Sequence, residues 1–182
     1  MHTVPSRWNP LPVAVALALG ASGCLVDTVY VDVDPSVDYG DEPAYEPSGD
    51  PTLEIGYYDE QLYAPLRDGG ECPIIFGLQG GTWTMPALRA RGVDTTLTVH
   101  CTLVTGSGER LGEAIERNVR FYLAPDDWIE NQAFPVPATH EPPNEADPID
   151  DLYGQDATLA CSVKDSEERT AEASVRCMLV EG

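Results

Sequence analysis

Alternation of apolar and polar positions dominates the second half of the chain. In DTTLTVHCTLV, Asp94 to Val104, residues Thr95, Leu97, Val99, Cys101 and Leu103 share one face, and Thr96, Thr98, His100 and Thr102 share the other. A period of two is what a strand with one buried face requires. AIERNVRFYL, Ala114 to Leu123, sets Ile115, Arg117, Val119, Phe121 and Leu123 against Glu116, Asn118, Arg120 and Tyr122. Asn, Val, Phe and Tyr are weak helix formers, so this segment also reads as a strand. ATLACSV (Ala157, Leu159, Cys161 and Val163 on one face) and TAEASVRCMLV (Ala171, Ala173, Val175, Cys177 and Leu179) flank the polar turn KDSEER and read as a β-hairpin. Further upstream, CPIIFGLQ is a compact apolar run closed by Gly80-Gly81, and TWTMPALRAR alternates Trp83, Met85 and Ala87. Pro86 restricts that last strand to an edge or a bulge.

Ala124 to Asp156 breaks the rhythm. Its prolines, Pro125, Pro135, Pro137, Pro142, Pro143 and Pro148, leave room for little sheet beyond one short strand in NQAFPVP. A connection this long is either a crossover or a binding loop. Several short strands without a helical segment predict an all-β domain over 71–182, an immunoglobulin-like β-sandwich, with a jelly roll or a small barrel as the alternative. Ahead of it, from Val26 to about Gly70, Asp, Glu, Pro, Gly and Tyr prevail and Arg67 is the single basic residue. Repelling like charges and stiff prolines predict an extended acidic N-terminal tether over 24–70. Within it LEIGYYDEQLY, Leu53 to Tyr63, carries enough strand formers to add an edge strand.

The N-terminus has a different pattern. Arg7 precedes LPVAVALALG, an uncharged run of about ten residues, whereas a membrane-spanning helix needs roughly 20. The acidic residues from Asp27 onward prevent its extension. A basic n-region, a short apolar core and small residues are the layout of a secretory signal peptide, here residues 1–23. The stretch LALGASGC, ending in Ala21, Ser22, Gly23 and Cys24, resembles the lipobox of bacterial lipoproteins. That resemblance implies diacylglycerol on the Cys24 thiol, cleavage before Cys24, and attachment to the membrane through lipid. Leu25, where an Asp would signal retention at the inner membrane, implies the outer membrane if the host has one. An ordinary secretory signal with Cys24 left as a thiol is the alternative.

Charge narrows the partners. Ten basic against 31 acidic residues give a formal charge of −21, which repels nucleic acid and anionic lipid surfaces. The expected chain is monomeric and exported. With Cys24 set aside, Cys72, Cys101, Cys161 and Cys177 remain, an even number that in an oxidising compartment predicts two disulfides. The shared hairpin face favours Cys161 with Cys177 and Cys72 with Cys101; a sandwich pairing would join Cys101 to Cys161 or Cys177. The spacing offers no CxxC for zinc.

Catalytic signals are sparse. His100 lies on the polar face of a strand and His140 in a Pro-rich loop, and no GxSxG elbow is present. No catalytic residue is assigned and no cofactor is expected. Asp147, Asp150, Asp151 and Asp156 crowd one loop and are weak calcium candidates, without the order of an EF-hand. Trp128, beside Asp126 and Asp127, is the exposed-aromatic candidate for a binding site, and Trp83 reads as core. The sequence thus predicts a lipid-anchored cell-envelope protein with a non-catalytic interaction or structural module that contacts an envelope protein or a glycan. The alternative is a small hydrolase, or a calcium-dependent enzyme or binder, that uses loop carboxylates.

Overall fold

The computed structural model describes residues 45–59, 62–76, 81–139 and 149–182. The signal segment, Cys24 and the tether up to residue 44 lie outside the described residues, as do His140 and Asp147. Among the described residues twelve strands occur in chain order: β1 (Thr52–Asp59), β2 (Leu62–Pro65), β3 (Gly70–Phe76), β4 (Thr82–Thr84), β5 (Ala87–Arg91), β6 (Thr96–Thr105), β7 (Arg110–Arg120), β8 (Tyr122–Leu123), β9 (Ile129–Asn131), β10 (Val136–Pro137), β11 (Asp156–Lys164) and β12 (Thr170–Glu181). One 3₁₀ turn, Ile149–Leu152, precedes β11. The strands form a five-stranded sheet, β2-β1-β5-β9-β8, and a seven-stranded sheet, β10-β4-β3-β12-β11-β6-β7, which pack as a sandwich. Every pairing among them is antiparallel except β3 with β12.

The core follows the alternation. Leu53 and Ile55 of β1, Leu88 and Ala90 of β5 and Ile129 of β9 meet Leu97, Val99, Cys101 and Leu103 of β6 and Leu159, Cys161 and Val163 of β11. Residues 52–65 fall inside the acidic stretch assigned by composition to the tether. They nevertheless form β1 and β2, with two of their side chains in the core. The sandwich therefore begins ahead of residue 71, and β2 is an outer strand of its sheet.

Two local departures have clear causes. TWTMPALRAR is two strands, not one: β4 belongs to the seven-stranded sheet and β5 to the five-stranded one. The chain changes sheets at Met85-Pro86, where proline has no N–H for a ladder, and the Pro86 carbonyl instead accepts from the Phe134 N–H at 2.8 Å. Ile115 of β7 is 60% exposed whereas Phe121, the residue after β7, is buried, although both lie on one face by simple parity. Asn118 has φ 59° and interrupts the register between Val99↔Glu116 and Leu97↔Val119. This bulge inserts one residue and swaps the faces beyond it.

The seven-stranded sheet curls until its edges meet. The Thr139 N–H, just past β10, donates to the Leu111 carbonyl of β7 at 2.9 Å. Gly112 permits this approach, since a Cβ there would lie 1.9 Å from the Pro137 carbonyl oxygen.

Candidate binding face

The outward face of the five-stranded sheet carries the most highly organised polar cluster. Register places Glu54 beside Arg89, Arg89 beside Glu130 and Glu130 beside Tyr122, while Tyr58 faces Tyr63 at the β1–β2 edge. Gly56 and Ala87 lie between these rows, and their small size leaves room for rings above them. The Tyr63 ring lies directly over Gly56, where a Cβ would come within 2.7 Å of it. The Arg89 guanidinium covers the ring at 4.0 Å from its centroid. Its Nε donates to Glu130 Oε2 at 2.9 Å, and the Tyr58 hydroxyl donates to Glu130 Oε1. Tyr58 and Tyr63 meet edge to face with centroids 6.1 Å apart.

The electrostatics follow from this packing. Glu130 is only 9% exposed, and Arg89 and Tyr58 supply the hydrogen bonds that a buried carboxyl needs. Burial first, then the bond to the Glu130 carboxylate, pushes the Tyr58 hydroxyl above its ordinary value. Burial and the nearby Glu54 charge do the same to Tyr63. The Tyr63 hydroxyl oxygen is buried without a hydrogen-bond partner among the described residues. At the far side of this face Arg91 stacks on Trp128, 4.8 Å from the ring centroid. Trp128 is held by a tight turn: Asp126 and Asp127 both have φ 61°. The Ala124 N–H donates to the Trp128 carbonyl at 2.8 Å. Two successive left-handed residues are the signature of a type I′ hairpin turn, which Asp tolerates better than most residues.

Trp128 is thus half-buried beneath Arg91. Arg89 and Arg91 are anchoring groups. Sequence reasoning passed over Glu130, Tyr58 and Tyr63 as site residues. The available signal was local: Arg89 and Arg91 share one strand face, with two adjacent tyrosines upstream. Glu130, the carboxylate that joins them, lies 41 residues from Arg89.

A second polar cluster lies on the outward face of the other sheet. His100 Nε2 is 2.8 Å from Glu113 Oε1, and Arg110 Nη1 reaches Glu113 Oε2 at 3.1 Å. Ser162 lies directly opposite His100 in the β6–β11 register, and Glu172 opposite Ser162. Together they edge an open depression of about 410 Å³ that also includes Thr102 and Ser174.

Of the calcium candidates, Asp147 lies outside the described residues, Asp150 lies in the 3₁₀ turn, and Asp151 and Asp156 are exposed on either side of Gly154. Among the described residues no group of three or more His, Cys, Asp or Glu side chains converges.

The favoured cysteine pairing needs correction. Cys101 and Cys161 are disulfide-bonded, with Cα atoms 4.1 Å apart, whereas Cys72 and Cys177 are buried thiols. The reason is register. Cys161 lies opposite Cys101 across β11–β6, whereas across the hairpin it faces Ala173, and Cys177 faces Ala157. Sharing a face does not bring Cys161 and Cys177 together. No family model matches the chain, and no curated protein matches it in sequence.

Proposed function

We propose that this chain is an exported protein anchored by lipid on Cys24, outer-membrane if the host has one, and that its β-sandwich is a non-catalytic module which binds an envelope protein or glycan. The observation that carries the binding role is the Arg89–Glu130–Tyr58–Tyr63 array. It holds aromatic edges, a guanidinium and a phenol on rigid strands at a sheet surface, and aromatic and Arg side chains are the usual anchors of interfaces. The strongly acidic surface favours neutral or cationic partners.

The finer fold reading, immunoglobulin-like, is supported by strand order. The sheet β1-β5-β9-β8 follows the A-B-E-D order, and β12-β11-β6-β7 follows G-F-C-C′. On that reading β3, parallel to β12, takes the place of an additional first strand, and the disulfide joins C to F within one sheet where antibody domains join B to F.

Two experiments test the proposal. Radiolabelled fatty acid should label the wild-type protein and leave Cys24→Ala unlabelled and released from the membrane fraction; a membrane-bound, full-length C24A protein overturns the anchor. Pull-downs from solubilised envelope and on purified cell-wall glycan should recover a partner that Arg89→Ala loses while remaining folded. Equal recovery by R89A overturns the face.

A second reading, a small hydrolase, draws on His100, Glu113 and Ser162. It requires ester or amide hydrolysis that disappears in both His100→Gln and Ser162→Ala, and retention of activity in either variant excludes it.

A further inference from the structure

Two buried thiols lie side by side in the seven-stranded sheet. Cys72 is in β3 and Cys177 in β12, and both belong to the core, 0% and 2% exposed. These strands run parallel, with Cys177 opposite Gly70 and Cys72 opposite Leu179. The cysteines are therefore diagonal neighbours on one face, offset by two residues, close enough that each thiol shifts the ionisation of the other. From the facing sheet Tyr57 reaches across the core, with its Oη 3.1 Å from Cys72 Sγ and 2.6 Å from Thr84 Oγ1. Thr84 Oγ1 is 3.8 Å from the same sulfur.

This surrounding makes the two sulfurs unequal. The neighbouring Cys177 thiol lowers the Cys72 thiol; burial opposes it, and the contacts with Tyr57 and Thr84 lower it further, so the thiolate is favoured at Cys72 over Cys177. The same contact and burial raise Cys177. In thiol–disulfide exchange the thiolate attacks and the partner thiol resolves the intermediate.

We propose that Cys72 and Cys177 close as a second disulfide, clasping β3 to the C-terminal strand, with Cys72 as the attacking sulfur. The oxidant is a disulfide, either small or in a thiol–disulfide oxidoreductase. The Cys72 thiolate attacks one of its sulfurs, the oxidant's S–S bond breaks, and one sulfur leaves as a thiol once protonated. Cys177 gives up its proton and attacks Cys72 Sγ, the Cys72–Cys177 bond forms, and the second oxidant sulfur leaves. Two protein thiols lose two electrons, and one oxidant disulfide becomes two thiols. Both sulfurs are buried in the folded sheet, so exchange takes place before β3 docks or during local opening of that edge. Export, as proposed above, supplies the oxidising compartment, and the geometry supplies the pair.

The test uses the full chain with Cys24→Ala to remove the fifth thiol. The protein is refolded in a glutathione redox buffer, acid-quenched, alkylated, digested without reduction and mapped. The expected result is two cross-linked peptide pairs, Cys72 with Cys177 and Cys101 with Cys161, and no alkylated cysteine. Alkylated Cys72 and Cys177 beside an intact Cys101–Cys161 link overturn the proposal, as does either cysteine joined to Cys101 or Cys161. The same mapping on wild-type protein, blocked at lysis of cells that express it with its own leader, separates the two readings. A Cys72–Cys177 bond formed in buffer and absent from cells supports the pair and counts against export.

Discussion

Asp165 follows β11 in a turn of polar residues, and its side chain is nonetheless fully buried. Oδ1 accepts the backbone N–H of Glu167 at 2.9 Å and of Arg169 at 3.0 Å. Oδ2 accepts Arg169 Nε at 2.6 Å and the Asp94 N–H at 3.2 Å. One carboxylate therefore closes the β11–β12 turn and ties it to the segment between β5 and β6. Asp165→Ala leaves three backbone donors and a guanidinium without their acceptor. A buried donor left unpaired costs about 1–3 kcal/mol. The Glu167 and Arg169 amides line an exposed turn, where water restores part of the loss. The expected destabilisation is therefore about 2–4 kcal/mol, below the plain sum over the donors. Asp165→Asn keeps the shape and one acceptor oxygen, so its loss should be about half as large. Urea unfolding should give a lower midpoint with an unchanged slope. The sign of the pH dependence follows from the folded state. Burial opposes the charge, but Arg169 and the amides of Asp94, Arg169 and Glu167 outweigh it and hold the carboxyl below its ordinary value. A depressed carboxylate contributes its full stability above the unfolded pKa, about 3.9, and loses it as pH falls through the folded value. The gap between wild type and D165N should be full at pH 7 and shrink in acid. A D165A protein within about 0.5 kcal/mol of wild type, or a D165N gap that persists unchanged in acid, would refute the reasoning.

Three further outcomes are expected. Gly112→Ala sets a Cβ against the Pro137 carbonyl, so it should cost about 1–3 kcal/mol and expose the Thr139 amide to rapid hydrogen exchange; an amide that stays protected in the variant would mean that the meeting of the edges does not depend on Gly112. Arg89→Lys keeps the charge and loses both the Nε bond to Glu130 and the stack on Tyr63, a loss of about 1–2 kcal/mol in denaturant titration. Leu88→Ala empties a fully buried site between the sheets and should cost about 2–5 kcal/mol, read from the same titration.

How far the fold was legible follows from what alternation can report. Parity along β6, β11 and β12 assigned Leu97, Val99, Leu103, Leu159, Val163 and Leu179 to the core, and all are buried. It failed at Ile115 because the bulge at Asn118 shifts phase in mid-strand, and no apolar residue announces that shift. At β1 the strand formers of LEIGYYDEQLY offered an edge strand, and β1 and β2 form there, although Leu53 and Ile55 lie among Asp, Glu, Gly and Tyr. Averaged over the segment, composition reads as a spacer, whereas two apolar residues at the right parity suffice for a strand once β5 offers a partner. The break between β4 and β5 was marked by Pro86, but a proline says that a ladder ends and not that the chain changes sheets.

The site was less legible for a related reason: its contacts depend on register, and register is non-local. Four inward cysteines on strands of known parity remain compatible with several pairings, because parity assigns a face and leaves the position along it open. Sequence distance favours the hairpin pair, yet Cys161 and Cys177 sit symmetrically about neither end of the turn, and the ladder displaces them by four residues. What joins Cys101 to Cys161 is the pairing of β6 with β11, strands that are 60 residues apart at the bond. The same holds on the outer face of the five-stranded sheet, where Arg89 finds its carboxylate on β9, and in the core, where Cys72 finds Cys177 through the parallel contact of β3 with β12. In each case the residue types announced their chemistry, a thiol needing a thiol or a guanidinium needing a carboxylate. Strand order, which the short-range pattern does not encode, chose the partner.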